Sequence, residues 1–262
     1  MADTNHMLSL PKPLLNVVLI SSVLTILSFP ATAGFWDLLG MSDDPKETQS
    51  TKPAGNKTSL SSTEIVSGLK QALEKSTDYA VSHLGKENGF LHNDRVRIPL
   101  PENLQKIEKV MRSVGASKYA DEFLETMNHA AEKAISQSKP VFTDALKKMS
   151  IQDGLKILNG SDNAATQYFK QNTESTIIER VLPITKKMTD EGGVTASYKK
   201  LIDKLGFAKS LIDEDQVNLD QYITLKAVDG LFKIVEEQEK LIRNNPVQQT
   251  TRLLQQVFGK GS

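Results

Sequence analysis

Six polar side chains stand where a helical sequence usually has apolar residues or a turn, and they are the candidates for chemistry in this chain. They come from three separate segments and are Asn128, Glu132, Asn159, Asp162, Glu239 and Arg243. Two pairs are four residues apart, which places both members of a pair on one side of a helix. If the three segments pack together, these groups would line one polar groove. The sequence therefore predicts a ligand-binding groove where three helical segments meet.

These candidates also have a structural interpretation. Glu239 and Arg243 lie at the edge of an apolar stripe, where a half-buried ion pair is common and contributes little to stability. Asn159 and Asp162 border a predicted helix start, where Ser161 or Asp162 would serve as the N-terminal cap. If the segments do not meet, the candidates are caps and surface pairs.

Motifs for familiar catalytic and cofactor chemistry are absent from the sequence. None of the four histidines has a partner at the spacing of a zinc-binding helix, so we predict no metal site. Ser67 and Lys70, followed by Ser161-Asp162-Asn163, match two elements of penicillin-recognising serine enzymes, but the Lys-Thr-Gly element and a sheet to carry it are missing. No phosphate-binding glycine loop occurs. We therefore predict no cofactor, and the sequence identifies no catalytic residue.

Helical periodicity dominates from Ser61 onward. Apolar residues recur every three or four positions, and turn residues separate the runs. Ser61 and Glu64 form a capping-box pattern at the first start. We also predict a helix over residues 163–171 and, capped by Thr173, a second one over residues 174–190. The whole pattern predicts an all-α fold, a single multi-helix bundle of roughly ten helices over residues 61–262.

Residues 1–33 have the order of regions found in secretory signal peptides. Lys12 precedes the apolar run 14–29, and Ala31-Thr32-Ala33 supplies the small residues of a cleavage site. A retained membrane anchor is the alternative, but the run is shorter than the roughly 20 residues that span a bilayer. Lipid attachment is excluded because the chain has no cysteine. We predict export to the periplasm and cleavage after Ala33.

Residues 34–60 separate the predicted signal peptide from the helical domain. The apolar tag Phe35-Trp36-Asp37-Leu38-Leu39 comes first, and a stretch rich in Ser, Thr, Pro and charge follows it. Such a composition predicts a disordered linker. The tag would dock on its own domain, on a partner or on a membrane surface.

Charge and cysteine content limit the classes of partner. Thirty-two basic residues balance thirty-two acidic ones, whereas nucleic-acid binding depends on a clustered excess of Lys and Arg. We therefore predict no nucleic-acid partner. Without disulfides, an exported protein of this length must be stabilised by its apolar core.

Several strings in the helical part resemble a known family. The most specific is Ile157-Leu158-Asn159-Gly160-Ser161-Asp162-Asn163-Ala164-Ala165-Thr166-Gln167-Tyr168-Phe169; others are Ile98-Pro99-Leu100-Pro101 and residues 127–132, 227–232 and 242–259. Together they resemble the bacterial envelope family of domain of unknown function 4197, over about residues 60–259. The resemblance implies an exported helical protein and assigns no reaction or catalytic residue.

Three functions follow from these observations as alternatives. The first is a non-catalytic module that binds a protein partner or a hydrophobic ligand, since helical domains bind in grooves between helices without marked chemistry. The second is a membrane-surface or lipid-associated protein, supported by the apolar tag. The third is an unrecognised hydrolase, which would need Glu132, Asp162, Glu239 and Arg243 to converge.

The mature protein is expected to begin at Gly34, because Ala31-Thr32-Ala33 follows the apolar run. N-terminal sequencing of protein recovered from the periplasm checks this expectation. Recovery of residues 14–33 in the membrane fraction would instead support the retained anchor.

Overall fold

The computed structural model describes residues 60–204 and 218–259. The predicted signal peptide and, apart from Leu60, the predicted tag and linker lie outside the described residues. Within the described ranges the chain forms nine α-helices, a 3₁₀ helix at Pro246–Gln248 and no β-strand, which confirms the all-α prediction. None of the helices in these ranges is long and apolar enough to cross a membrane. The α-helices are α1 (Ser62–Leu84), α2 (Glu102–Ser113), α3 (Ser117–Gln137), α4 (Lys139–Lys148), α5 (Gly154–Leu158), α6 (Ala164–Glu191), α7 (Val194–Asp203), α8 (Leu219–Asn244) and α9 (Arg252–Phe258).

Helix α8 lies at the centre of the helical packing. Its most extensive interfaces are with α6 and α1, and it also packs against α3. Helix α3 in turn packs against α6 and α7. Burying one large aliphatic side chain contributes about 1.5–3 kcal/mol, and α8 buries a whole face that includes Ile223, Val228, Leu231, Ile234 and Val235. Helices α3 and α8 therefore form a frame against which the peripheral segments pack.

Helix α1 begins with the predicted capping box. The Ser61 hydroxyl accepts a hydrogen bond from the Glu64 N–H at 3.2 Å, and the Glu64 carboxylate accepts one from the Ser61 N–H at 2.8 Å. Hydrogen bonds from the Ser61 hydroxyl and N–H hold the pKa of Glu64 below its ordinary value. The first turn of α1 is thus fixed by local sequence alone.

Helix α6 runs without a break from Ala164 to Glu191, so the prediction of two helices in this stretch is wrong. Thr173, predicted to cap the second helix, instead donates its hydroxyl to the Phe169 carbonyl at 2.7 Å. Asn172 donates its side-chain amide to the Tyr168 carbonyl in the same way. Residue types that often start helices can satisfy their side chains inside a helix. Packing against α8 and α3 then favours continuation.

The connection between α1 and α2 consists of turns over residues 87–96 and irregular backbone over residues 97–100. Asn88 has a φ of 63°, a left-handed conformation that few residues other than glycine adopt and that Asn tolerates best. Three apolar side chains of the connection, Val96, Ile98 and Leu100, are buried. Its main chain therefore needs hydrogen-bond partners that no neighbouring strand supplies.

Gly230, in the middle of α8, is where this connection approaches the frame most closely. A Cβ there would lie 2.9 Å from Cε1 of Phe90 and 3.2 Å from Cβ of Val96, and both side chains are buried.

Replacing an interior helical glycine by alanine normally stabilises a helix by about 0.5–1 kcal/mol. Here we expect Gly230→Ala to destabilise the protein by about 1–3 kcal/mol, because neither neighbour can move freely. Urea unfolding measures the difference, with Gln221→Ala at an exposed position of α8 as the control. A stabilised Gly230→Ala variant would show that the packing is looser than described.

Candidate functional site

The carboxylate of Glu239 on α8 caps the first turn of α6. It is completely buried and accepts the N–H groups of Ala165 at 3.0 Å and Thr166 at 2.7 Å, together with the Thr166 hydroxyl at 2.6 Å. Asn163, at the N-cap position, makes no capping bond with its own side chain. The positive end of the α6 dipole favours an anion at this point. Helix α8 thus supplies the cap that the local sequence does not.

Arg243, one turn further along α8, links the same carboxylate to the end of α5. Its Nε donates to Glu239 Oε1 at 2.8 Å, while Nη1 and Nη2 donate to the carbonyls of Leu158 at 3.0 Å and Ile157 at 3.2 Å. The guanidinium also lies over the ring of Phe258, 5.2 Å from its centroid, where the ring face attracts a cation. The ion pair therefore joins the last carbonyls of α5 to the first amides of α6.

Asn159 and Asp162 lie in the exposed connection that this ion pair holds. Asn159 ends α5 through its main chain, and neither side chain hydrogen-bonds to another residue in the described part of the chain. The predicted cap by Ser161 or Asp162 is wrong. The Ser161 hydroxyl donates to Asn163 Oδ1 at 2.7 Å instead, and Glu239 holds the amides that a cap would have held.

Glu132 on α3 binds the α1–α2 connection in a similar way. Its buried carboxylate accepts the N–H groups of Asn88 at 3.2 Å, Phe90 at 3.0 Å and Leu91 at 3.2 Å. His129 places Nδ1 2.7 Å from Glu132 Oε2. Because a carboxylate only accepts, Nδ1 carries the proton. Asn88, with its left-handed backbone, lies in a turn whose amides at positions 88, 90 and 91 converge on the carboxylate, while the Gly89 N–H donates to the Lys86 carbonyl.

Asn128, completely buried on α3, pairs with the main chain of Ile98 as a neighbouring strand would. Its Oδ1 accepts the Ile98 N–H at 2.9 Å, and its Nδ2 donates to the carbonyls of Ile98 at 3.0 Å and Leu124 at 2.8 Å. An aspartate at this position could not donate to those two carbonyls. The side chain therefore has to be an amide.

Four of the six predicted residues thus form two clusters of buried polar side chains, and the exposed Asn159 and Asp162 lie beside one of them. Glu239 and Arg243 meet residues 157–166, while Asn128 and Glu132 meet residues 88–98, and within the described ranges no hydrogen bond joins the two clusters. Ligand binding by these residues stays a prediction. Sequence reasoning missed His129 as a partner of Glu132, although its position three residues earlier on the same helix was the available signal. It also missed the main-chain partners, which have no signature in a sequence.

Each of the two buried carboxylates accepts as many hydrogen bonds as it has lone-pair sites. Glu132 accepts from three amides and His129, and Glu239 accepts from two amides, a hydroxyl and Arg243. A carboxylate offers about four lone-pair sites, so neither group has one left to take a proton from a substrate. In the part of the chain that the structure describes, no group of three or more His, Asp or Glu side chains is placed to hold a metal ion.

The exposed side of the α1–α2 connection borders two open clefts that share Asp94. The first, of about 490 Å³, is lined by side chains that include His83, Lys86, His92 and Arg95. The second, of about 480 Å³, is lined by side chains that include Arg97, Lys109 and Arg112. Partial burial lowers the pKa of His83, and the charges of Lys86 and Arg95 lower it further. The first cleft therefore places His83 beside two cations, Lys86 and Arg95.

Replacing Glu239 by Gln tests whether its filled carboxylate holds the junction of α5 and α6. Whichever way the new amide is turned, its NH₂ group faces donors. We expect a loss of about 3–5 kcal/mol, as when one partner of a buried ion pair is removed. Glu237→Gln, at a partly exposed carboxylate of the same helix, should cost less than about 1 kcal/mol. Asp162→Ala should change stability by less than about 0.5 kcal/mol. Chemical denaturation compares the three variants, and equal losses for Glu239→Gln and Asp162→Ala would refute the assignment.

Comparison with known proteins identifies a family whose description assigns no function. Residues 59–259 match the family model described as protein of unknown function (DUF4197). No curated protein and no solved structure matches the chain. The matched range includes both clusters of buried polar residues and agrees with the resemblance of the sequence strings. The chain therefore belongs to the DUF4197 family of proteins of unknown function.

Proposed function

We propose that this chain is a non-catalytic binding protein of the bacterial cell envelope, and that its helical domain holds a protein partner on preorganised surface segments. One observation carries the proposal. The α1–α2 connection over residues 88–98 and the α5–α6 junction over residues 157–166 are attached to α3 and α8 by buried polar side chains. A buried polar network whose members are all satisfied rigidifies the structure around it.

A segment that is already rigid favours binding because ordering a loop at association costs free energy. Fixing the backbone of one residue costs about 1–2 kcal/mol, and preorganisation removes that cost from the binding step. Loops held by a rigid scaffold are also where proteins commonly bind their partners. The exposed side chains of the two segments, His92 and Asp162 among them, are therefore the proposed contact points.

The same hydrogen bonds count against the hydrolase alternative. Glu132 and Glu239 have no acceptor capacity left, and Arg243 is bound to Glu239 and to two main-chain carbonyls. General acid–base catalysis needs a side chain that can reach the proton it transfers. Three of the four residues on which a hydrolase would depend are instead engaged in holding other segments.

The clefts beside the α1–α2 connection favour a polypeptide over a small hydrophobic ligand. Both are open to solvent and carry charged side chains on their walls. Sites for small hydrophobic ligands are mostly enclosed and apolar, with few polar groups. A polypeptide can satisfy charged walls and a long open surface together.

The proposed cellular location rests on the sequence. Lys12, the apolar run 14–29 and Ala31-Thr32-Ala33 follow one another in the order of a cleavable secretory signal. The resemblance to an envelope family agrees with export. We therefore place the partner in the periplasm or on its membrane boundaries.

Site-specific photo-cross-linking in cells tests the proposal. A photoreactive amino acid replaces His92, on the α1–α2 connection, or Lys187, at an exposed control position of α6. We expect a discrete protein adduct from position 92 and none from position 187. The protein identified by mass spectrometry must then bind the purified chain in calorimetry. Binding should weaken in Glu132→Gln, because that variant loosens the connection without touching its surface.

Three results would count against this function. They are equal adducts from both positions, a cross-linked protein that does not bind the purified chain, and adducts with lipid alone. Lipid adducts alone would favour the membrane-surface alternative.

A further inference from the structure

Charge is unevenly distributed around the α1–α2 connection, although the chain as a whole is balanced. The two clefts that share Asp94 are lined by five cationic side chains and by two carboxylates, Asp94 and Glu108. The five cations, here called the basic strip, are Lys86, Arg95, Arg97, Lys109 and Arg112. This local excess of positive charge is hidden in the overall composition.

Much of the basic strip is free to bind. Arg95 pairs with Glu237 at 2.6 Å, and Arg112 pairs with Glu108 at 2.8 Å and Asp121 at 2.6 Å. Each arginine has five N–H donors, so both keep donors for another group. Three further cations are exposed and form no ion pair with any residue in ranges 60–204 and 218–259; they are Lys86, Arg97 and Lys109.

Part of the basic strip lies on main chain that buried side chains of α3 hold in place. Glu132 binds the amides of residues 88, 90 and 91, and Asn128 binds Ile98. These two attachments bracket the part of the chain that carries Arg95 and Arg97. The main-chain positions of these two cations are therefore set before any partner arrives.

Exposed aliphatic side chains adjoin the basic strip. Val110, on α2, and Val114, which caps the C-terminal end of that helix, are 51% and 68% exposed, and α2 also carries Lys109 and Arg112. Because α2 packs mainly against α3, the outer side of this helix is open. A ligand bound here would meet cations and aliphatic groups side by side.

We infer that the basic strip binds an acidic polypeptide segment of the partner, one that carries carboxylates with aliphatic side chains between them. This inference rests on the proposed function and specifies the chemistry of its partner. Carboxylates of the segment would pair with Lys86, Arg97 and Lys109. Its aliphatic side chains would contact Val110 and Val114. Complementary charge of this kind sets specificity and association rate more than affinity.

The shape of the surface favours a chain over an anionic membrane. The cations line concave clefts, which an extended chain can enter. A helix that lies on a membrane instead inserts a protruding face with large apolar side chains such as Trp, Phe or Leu. The exposed apolar residues on this side of α2 are valines.

The test measures binding of the full chain to a synthetic peptide of alternating Glu and Val, using fluorescence anisotropy. The matched peptide of Lys and Val, and vesicles of phosphatidylglycerol, serve as competing probes. We expect the chain to bind the acidic peptide alone. Raising the salt concentration from about 0.05 M to 0.5 M should weaken this binding at least about tenfold, because exposed charges are screened.

The double reversal Arg97→Glu/Lys109→Glu should weaken binding of the acidic peptide at least about tenfold. Lys148→Glu/Lys187→Glu, with the same change in net charge on α4 and α6, should leave it within about twofold.

Equal losses in the two double variants, or binding to vesicles without binding to the acidic peptide, would overturn the inference. Thermal unfolding confirms that both variants fold, and Arg97→Gln/Lys109→Gln provides a milder neutralisation that should give an intermediate loss. The two proposals fail separately. A partner that cross-links from position 92 but binds the Arg97→Glu/Lys109→Glu variant as tightly as the natural chain sustains the function and refutes the acidic segment.

Discussion

A main-chain amide that leaves water without finding another partner costs about 1–3 kcal/mol. Helices satisfy their own interior amides, but helix ends and irregular connections do not. In this chain the missing partners are supplied by side chains of the frame, with Asn128 and Glu132 on α3 and Glu239 and Arg243 on α8. The dependence is mutual, because these polar side chains tolerate burial only while the main chain satisfies them.

This arrangement connects the interior of the protein to its surface chemistry. Asn128 and Glu132, which set the shape of the α1–α2 connection, are buried. The cations of the basic strip lie at the surface and take no part in the core. A change at Glu132 would therefore alter the proposed binding surface, although Glu132 is not part of it. In the same way, Glu239 fixes the start of α6 and with it the path of residues 159–163. Stability and the proposed recognition of a partner thus depend on the same few hydrogen bonds.

The sequence predicts those features that are determined locally. Helical periodicity and the capping box of Ser61 and Glu64 depend on neighbours within a few positions, and both agree with the structure. The unbroken α6 was not predicted, because packing against other helices decides whether Thr173 starts a helix or lies inside one. Glu132 and Glu239 could be identified as candidates because they are polar residues beside apolar stripes. Their hydrogen-bond partners could not be predicted from the sequence, because Glu239 and Thr166 are 73 residues apart in the chain and main-chain groups have no residue-specific signal.

Amide hydrogen exchange reports directly on whether Glu132 holds the irregular connection. The amides of Asn88 and Phe90, although outside any helix, should exchange slowly in the native protein. Glu132→Gln should accelerate their exchange by about 10–100-fold, which corresponds to about 1.4–2.8 kcal/mol. The Ile98 amide, bound to Asn128, and the amides of α6 should change far less. Fast exchange at Asn88 and Phe90 in the natural chain, or the same acceleration at all these amides, would contradict a connection held by one buried carboxylate.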